Sequence, residues 1–408
     1  MNLSDKPPTG PFAEPRPSMR GPYLIRNRAK AAAIGALDAA LGLLPAKAGA
    51  VPARPRRILL ANWGHLGDVV TTFGAIAALR QRYPEARVGM IVGSWGRAAV
   101  QDTDLVDDLH VVDHWAVNRA AIPAARKRAH YRTTRAEALR AIRAAEYELG
   151  IDFYPFFPPA HPLFHKAGIP VRVGFVSGGL GPLLTRGVDW PDAPRPIAEH
   201  YRLLLDALEP GRPFAPEALR PRRSREGLAP PPAGMEGIGP YVVLHPGAGA
   251  AFKDWGTRNW QALATRLRGD LPGMRLVVTG AGAGEIAAAT QIAAVSGDIV
   301  TMAGKANWEQ FTRIIADAAL VICPDTATGH VAALFDVPVI SIFTGTNSAA
   351  QWGPYSDAAQ VLVRPVVCAP CNLPGCDAMA CIRDISPDDV IAAMRRSLAG
   401  QDLASAQR

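Results

Sequence analysis

The stretch Ala61–Arg80, ANWGHLGDVVTTFGAIAALR, decides how the chain is read. An apolar run, Ile58-Leu59-Leu60, leads into a short loop with two glycines, Gly64 and Gly67, and Asp68 stands at the mouth of an Ala/Leu-rich stretch of helical character. A strand, a tight glycine turn and a helix in that order open a parallel α/β sheet, in which ligands bind beyond the carboxyl ends of the strands. The aspartate at that edge has two readings. A carboxylate at a helix start satisfies free N–H groups and favours the helix dipole. The same carboxylate at a ligand-binding edge serves as a general base. The stretch by itself leaves both open.

Outward from this unit the alternation repeats. Apolar runs at 58–61, 88–92, 109–112, 149–153 and 172–175 read as strands, with helices between them such as 70–82 and 135–145. A second series at 241–245, 275–279, 299–302, 320–323 and 337–343 alternates with helices at 257–268, 285–295, 308–316 and 328–335. Strand–helix alternation predicts parallel sheets with right-handed crossovers. Residues 209–240 are crowded with proline, glycine and arginine and read as a linker. The expected organisation is a basic N-terminal tail with an amphipathic helix (1–57), a Rossmann-like half (58–208), the linker, a second Rossmann-like half (241–365) and a cysteine-rich appendage with a terminal helix (366–408). The two halves face each other across a cleft.

Composition narrows the partners. The 408 residues suit two α/β domains, and 49% hydrophobic with 20% charged residues describes a folded globular chain. The net charge of +8 is uneven: residues 1–57 hold ten Lys/Arg against three Asp/Glu, and residues 58–408 hold 34 against 33. A groove for nucleic acid needs its positive charge on the folded body, so nucleic acid is not an expected partner. Within the tail, residues 1–22 are proline-rich and polar and read as disordered. From Tyr23 to Leu44, Ile34, Leu37, Leu41 and Leu44 recur at helical spacing, but Asp38 and the alanines make a poor membrane span. The long basic part and Asp38 also argue against a signal peptide. A helix resting on an anionic membrane surface and a helix packed on the body both fit.

The second half carries three strand-to-helix turns with binding chemistry. Tyr241–Gly249, YVVLHPGAG, ends a strand in glycines that let backbone N–H groups approach an anion, and Lys253 supplies a point charge nearby. Gly280-Ala281-Gly282-Ala283-Gly284 comes close to a dinucleotide fingerprint, but Glu285 occupies the third glycine position. Asp325-Thr326 opens a helix with His330 one turn on, an arrangement suited to a diphosphate or, more simply, to a cap.

These segments in this order resemble glycosyltransferase family 9, the lipopolysaccharide heptosyltransferase family. The resemblance covers most of residues 56–365 and rests on LGDVVTTFGAIAALRQRYPEA, VVLHPGAGAAFKDWGTRNWQALATRL, AGKANWEQFTRIIADAALVICPDTATGHVAALFDVPVISIFTGT and QWGPY. It implies the GT-B fold and inverting, metal-independent transfer of a sugar, typically heptose from ADP-heptose, to a lipopolysaccharide or other cell-envelope glycan. It also implies that Asp68 is the base and that Lys253, after His245-Pro246-Gly247, holds the donor phosphates. Glu285 then contacts the donor nucleoside, and Asp325, Thr326 and His330 lie near the diphosphate. Two departures stand out: Ala327 replaces the glycine usual after the Asp-Thr pair, and Asn62-Trp63-Gly64-His65-Leu66 replaces the polar residues common before Gly67-Asp68. One carboxylate suffices for such a transfer, because a diphosphate leaves without a proton. The implied location is cytoplasmic, with at most peripheral contact at the inner face of the membrane. A sugar-nucleotide epimerase of similar two-domain fold and a non-catalytic nucleotide-sugar-binding protein are the alternatives, while the broken fingerprint at Glu285 weighs against an NAD-dependent oxidoreductase.

Cys368, Cys371, Cys376 and Cys381 fall within fourteen residues, and Cys323 ends an apolar strand as a buried small residue. In a reducing compartment such a cluster points to thiolates holding a structural zinc or iron rather than to disulfides, with free or redox-active thiols as the alternative. No metal or other cofactor is expected in catalysis. Asp102-Thr103-Asp104 resembles the metal-binding Asp-x-Asp of other transferases but reads as a solvated acidic surface.

Overall fold

The computed structural model describes residues 23–25, 27–43, 49–191, 193–371, 373 and 376–398. A helix α1 (Arg28–Gly42) precedes the first sheet. That half runs β1 (Arg57–Ala61), α2 (Leu66–Val70), α3 (Phe73–Arg82), β2 (Arg87–Val92), α4 (Arg97–Val100), β3 (Asp108–Val111), α5 (Ala124–Ala145), β4 (Leu149–Asp152), α6 (His161–Ala167), β5 (Val171–Phe175), β6 (Arg186–Val188) and α7 (Ile197–Asp206). The second half runs β7 (Tyr241–Leu244), α8 (Thr257–Asp270), β8 (Arg275–Val278), α9 (Gly282–Ala293), β9 (Val300–Thr301), α10 (Trp308–Ala316), β10 (Leu320–Pro324), α11 (Ala327–Leu334), β11 (Val339–Phe343), α12 (Ala349–Trp352), β12 (Ala359–Val363), α13 (Ala380–Arg383) and α14 (Pro387–Leu398).

Both sheets are six-stranded and parallel, ordered β3-β2-β1-β4-β5-β6 and β12-β11-β10-β7-β8-β9. Read from β7 as the first strand, the second order repeats the first. Helices cover both faces of such sheets, so the central strands are continuous apolar runs. Ile58, Leu59, Leu60, Val242, Val243 and Leu244 are all fully buried. In this topology the strand order reverses between β1 and β4 and again between β7 and β10, which are neighbours in register. Ligands bind at such reversals, and the loops after β1 and β10 meet across the cleft, where the His330 ring packs against Gly67.

The structure refines several expectations. The helix expected over 70–82 is two helices, because the Thr71 and Thr72 hydroxyls bond back to the carbonyls of Asp68 (2.8 Å) and Val69 (2.7 Å) in place of helix continuation. Strands β6 and β12 were not anticipated: both are sheet edges and only partly buried. Helix α5 begins at Ala124, well before 135, since its first turns carry arginines rather than an apolar stripe. Residues 209–240 are no free tether. Leu219 is fully buried beside Gly74 of α3, while Arg220 pairs with Asp336 (2.5 Å) and Asp357 (2.6 Å) of the second half.

Helix α1 rests on the body. Tyr23 donates to Asp38 (2.8 Å), Asp38 accepts from the Leu180 N–H (2.8 Å), and the Lys30 ammonium sits 3.9 Å over the Phe157 ring. None of its residues is buried, and Leu37 and Leu43 face outward. The proline-rich stretch 1–22 and Leu44 lie outside the described residues. Among the described residues no helix is long and apolar enough to cross a membrane.

Candidate functional site

The first wall of the cleft is the loop from β1 into α2. Asp68 stands in the first turn of α2, and its Oδ2 accepts the His65 N–H at 2.7 Å, closing a capping box. Its Oδ1 makes no hydrogen bond among the described residues. Asn62 braces the loop from below, accepting from the Gly64 N–H (3.0 Å) and donating to the Asp68 carbonyl (2.9 Å). A Cβ at Gly64 would stand 2.6 Å from the Asp68 carboxyl, so only glycine leaves that side chain its place. Burial raises the Asp68 pKa above the ordinary carboxylate value, and the His65 N–H, Lys253 and Arg119 draw it partly back. His65 turns its ring toward Trp95, whose indole N–H is anchored on the Trp63 and Gly64 carbonyls. Burial, Arg119 and Lys253 hold its pKa down at about 4, so the imidazole is neutral.

The second wall comes from β7, β8 and β10. Lys253, ending a single turn at Ala251–Lys253, places Nζ 2.6 Å from Asp325 Oδ2 and donates to the Asp325 carbonyl at 3.3 Å. Asn347, after β11, donates to the same carboxylate at 3.4 Å. Thr326 is the N-cap residue of α11, whose first N–H groups open into the cleft beside Gly67. His330, one turn along, is kept neutral by burial, with its pKa near 4. At the neighbouring strand ends, His245 Nδ1 pairs with the Thr279 hydroxyl at 2.9 Å, and Glu285 accepts the Ala281 N–H at 2.7 Å. Burial raises the Glu285 pKa and lowers that of His245 to about 4. Gly247, after Pro246, is where Glu285 fits: a Cβ there would meet the carboxyl at 2.5 Å.

The expected residues therefore form two neighbouring groups. Asp68, Lys253, Asp325 and His330 feel one another's charge at the junction of the halves. His245, Pro246, Gly247 and Glu285 line the ends of β7 and β8. Sequence reasoning missed Arg119 and Asn347. Arg119 reaches across the cleft from the loop before α5, donating to the Gly249 carbonyl at 3.4 Å, and it acts electrostatically on Asp68 and His65. Beside it opens a cavity of about 920 Å³ lined by His65, Trp95, Asp113, Arg119, Arg126 and His130. Within it the buried Asp113 carboxylate accepts the Ser94 N–H (2.6 Å) and pairs with His130 (2.7 Å). Asp102 and Asp104 are exposed, as a solvated acidic surface should be.

The structure lends the expected metal site no support. Among the described residues no group of three or more His, Cys, Asp or Glu side chains is placed to hold a metal ion. Cys381 is buried in α13 under Gly345, Cys368 and Cys376 are exposed, and Cys371 lies between these extremes. The Cys376 sulfur instead accepts the Met379 N–H at 3.3 Å. Burial and the three neighbouring sulfurs raise the Cys381 pKa.

Comparison with known proteins adds a lineage to this geometry. The family model described as Glycosyltransferase family 9 (heptosyltransferase) matches residues 135–380. Lipopolysaccharide heptosyltransferase 1 of Pseudomonas aeruginosa is 28% identical over 344 residues, 77% of this chain and 86% of that protein. Lipopolysaccharide heptosyltransferase 3 of Escherichia coli is 32% identical over 120 residues, a match spanning 29% of this chain and only 34% of that protein. The solved structure of E. coli heptosyltransferase WaaC with ADP superposes with a TM-score of 0.63 at 18% identity, covering 84% of this chain and 99% of that one, a likeness of fold.

Proposed function

The chain belongs to glycosyltransferase family 9 and is a glycosyltransferase enzyme of the GT-B fold, and from that premise we propose that it moves heptose from ADP-heptose to a lipopolysaccharide or other cell-envelope glycan, with inversion and without a metal. The observation that carries this reading is the meeting of Asp68 with Lys253 and the start of α11 where the two sheets reverse their strand order. The ADP held by the related WaaC supports the choice of nucleotide.

In this reading the acceptor hydroxyl oxygen attacks the anomeric carbon from the face opposite the diphosphate and gives its proton to Asp68 Oδ1. The bond from that carbon to the phosphate oxygen breaks with its electron pair on the departing diphosphate. Lys253 and the free N–H groups of α11 neutralise that developing charge, with Thr326 and His330 beside them. Asp325 and Asn347 aim Lys253, and Glu285 beside Gly247 takes the nucleoside hydroxyls. The raised Asp68 pKa suits a base, because a carboxylate of ordinary acidity accepts a proton weakly. The cavity beside His65 and Arg119 receives the acceptor. We assign the work to the cytoplasmic side of the membrane, where the nucleotide sugar is made, with the residue 1–57 segment available for peripheral contact.

Asp68→Asn tests the assignment. Turnover should fall by roughly 10²–10⁴-fold while ADP affinity, read by calorimetry, stays nearly unchanged. Near-normal turnover in that variant returns Asp68 to capping alone.

A further inference from the structure

The positive charge of the folded body is not spread evenly. Helix α5 carries Arg126, Lys127, Arg128, Arg132, Arg135, Arg140 and Arg143 against a single acid, Glu137, although residues 58–408 as a whole are close to neutral. Among the described residues none of these seven cations forms an ion pair with a carboxylate. Ala138 and Ile142 turn inward, and Arg128, Arg132 and Arg140, four and eight residues apart, share the exposed side. Two large apolar groups flank the start of the helix: Trp115 and Ile122 are each 38% exposed, and the Arg128 guanidinium lies 5.3 Å from the Trp115 ring centre.

An unpaired row of arginines with an exposed indole and an isoleucine beside it has the chemistry of a bilayer interface. Cations there meet anionic headgroups, and tryptophan lodges at headgroup depth. We propose that the exposed face of α5, with Trp115 and Ile122, docks this enzyme on an anionic lipid bilayer. The charge of α5 selects the surface, and the two apolar side chains seat it. Helix α1 is the weaker element, since it carries only two cations, Arg28 and Lys30, and Lys30 is turned onto the Phe157 ring.

The placement bears on access to the site. On one side of α5, Arg126, Ala129, His130 and Thr133 line the 920 Å³ cavity. On the other side, Tyr131 and Arg135 line a smaller cavity of about 180 Å³ walled by Phe157, Pro158 and Leu163. A bilayer against the exposed face lies beside both mouths, so an acceptor anchored in it enters without leaving the lipid.

The full chain is mixed with vesicles of phosphatidylcholine alone or with added phosphatidylglycerol, and binding is read by flotation. Each cation beside an anionic surface strengthens binding roughly fivefold, so Arg128→Gln, Arg132→Gln and Arg140→Gln together should weaken partition into the anionic vesicles about a hundredfold. Transfer to a soluble acceptor should be unaffected, which separates failure of this inference from failure of the catalytic reading. Wild-type binding should also fall steeply with added salt. Equal binding of the triple variant and the wild type overturns the proposal. So does wild-type binding that ignores phosphatidylglycerol or salt, or that disappears on removal of residues 1–48 with the arginines intact. Retention on a nucleic acid with none on anionic vesicles overturns it in favour of a polyanion surface of another kind.

Discussion

One oxygen of Asp68 is held by the His65 N–H while the other is free of hydrogen bonds among the described residues, so the cap and the proposed base coexist in one side chain. The pH dependence of turnover follows from its raised pKa. Activity needs the ionised form, so turnover should climb with pH through a limb lying above the ordinary carboxylate value of about 4. A pH–rate profile checks this, and a limb at or below that value removes Asp68 from the role. The sign for stability is opposite. A carboxyl whose folded pKa is raised contributes stability fully present below its unfolded pKa, and that contribution is lost as pH rises through the folded one. At Lys253, truncation to alanine removes a charged partner of the diphosphate and should cost about 1.5–3 kcal/mol of ADP binding, read by calorimetry; equal affinity rules the contact out. Gly247→Ala makes a contrasting case. The new Cβ meets only the mobile end of Glu285, so the melting temperature should hold while ADP binding weakens severalfold. A large loss of stability instead shows that the turn, and not Glu285, needs the glycine. The lysine and the acids are visible in sequence because each follows its own strand. Arg119 and Asn347 are not, because their partners Gly249 and Asp325 lie on other loops, and local periodicity says nothing about which loops meet.

At the scale of elements, legibility tracked burial. Trp308–Ala316, with Ile314 and Ile315 turned into the core, appears in sequence at the bounds it has in the structure. The first turns of α5 escaped notice because arginines, not an apolar stripe, fill them. The edge strands β6 and β12 escaped because, at the margins of their sheets, none of their residues is fully buried. Cysteine spacing is a different kind of signal. Spacing reports only chain distance, whereas ligation needs sulfurs converging on one point; the four thiols are neighbours, but α13 buries Cys381 while Cys368 and Cys376 stay at the surface. Thiol titration of the folded protein should therefore find Cys368 and Cys376 reacting promptly, with Cys323 and Cys381 reacting only on unfolding. Protection of all four appendage cysteines, relieved by a chelator, would restore a metal to that turn.

Across the molecule, two sheets of one strand order are joined by a segment that grips both, Leu219 on the first and Arg220 on the second. The family and the two-sheet architecture could be read ahead of the structure. The grip of residues 209–240 could not, since proline and arginine there carry no periodic signal. The strand order also governs how the chain acquires its shape. In each half the central partnership, Ile58 with Leu149 and Val242 with Leu320, waits until three crossovers have been made, so neither sheet can close early. Pairings so distant along the chain are slow to nucleate and leave apolar strand edges exposed meanwhile. Yet all six strands of the first sheet precede Pro196, so that half can mature on the ribosome before the second emerges. Its last requirement is the plug at Leu219, which closes over α3. A nascent chain arrested beyond Leu219 should resist protease across the first half, whereas one exposing only as far as 208 should be cut within it.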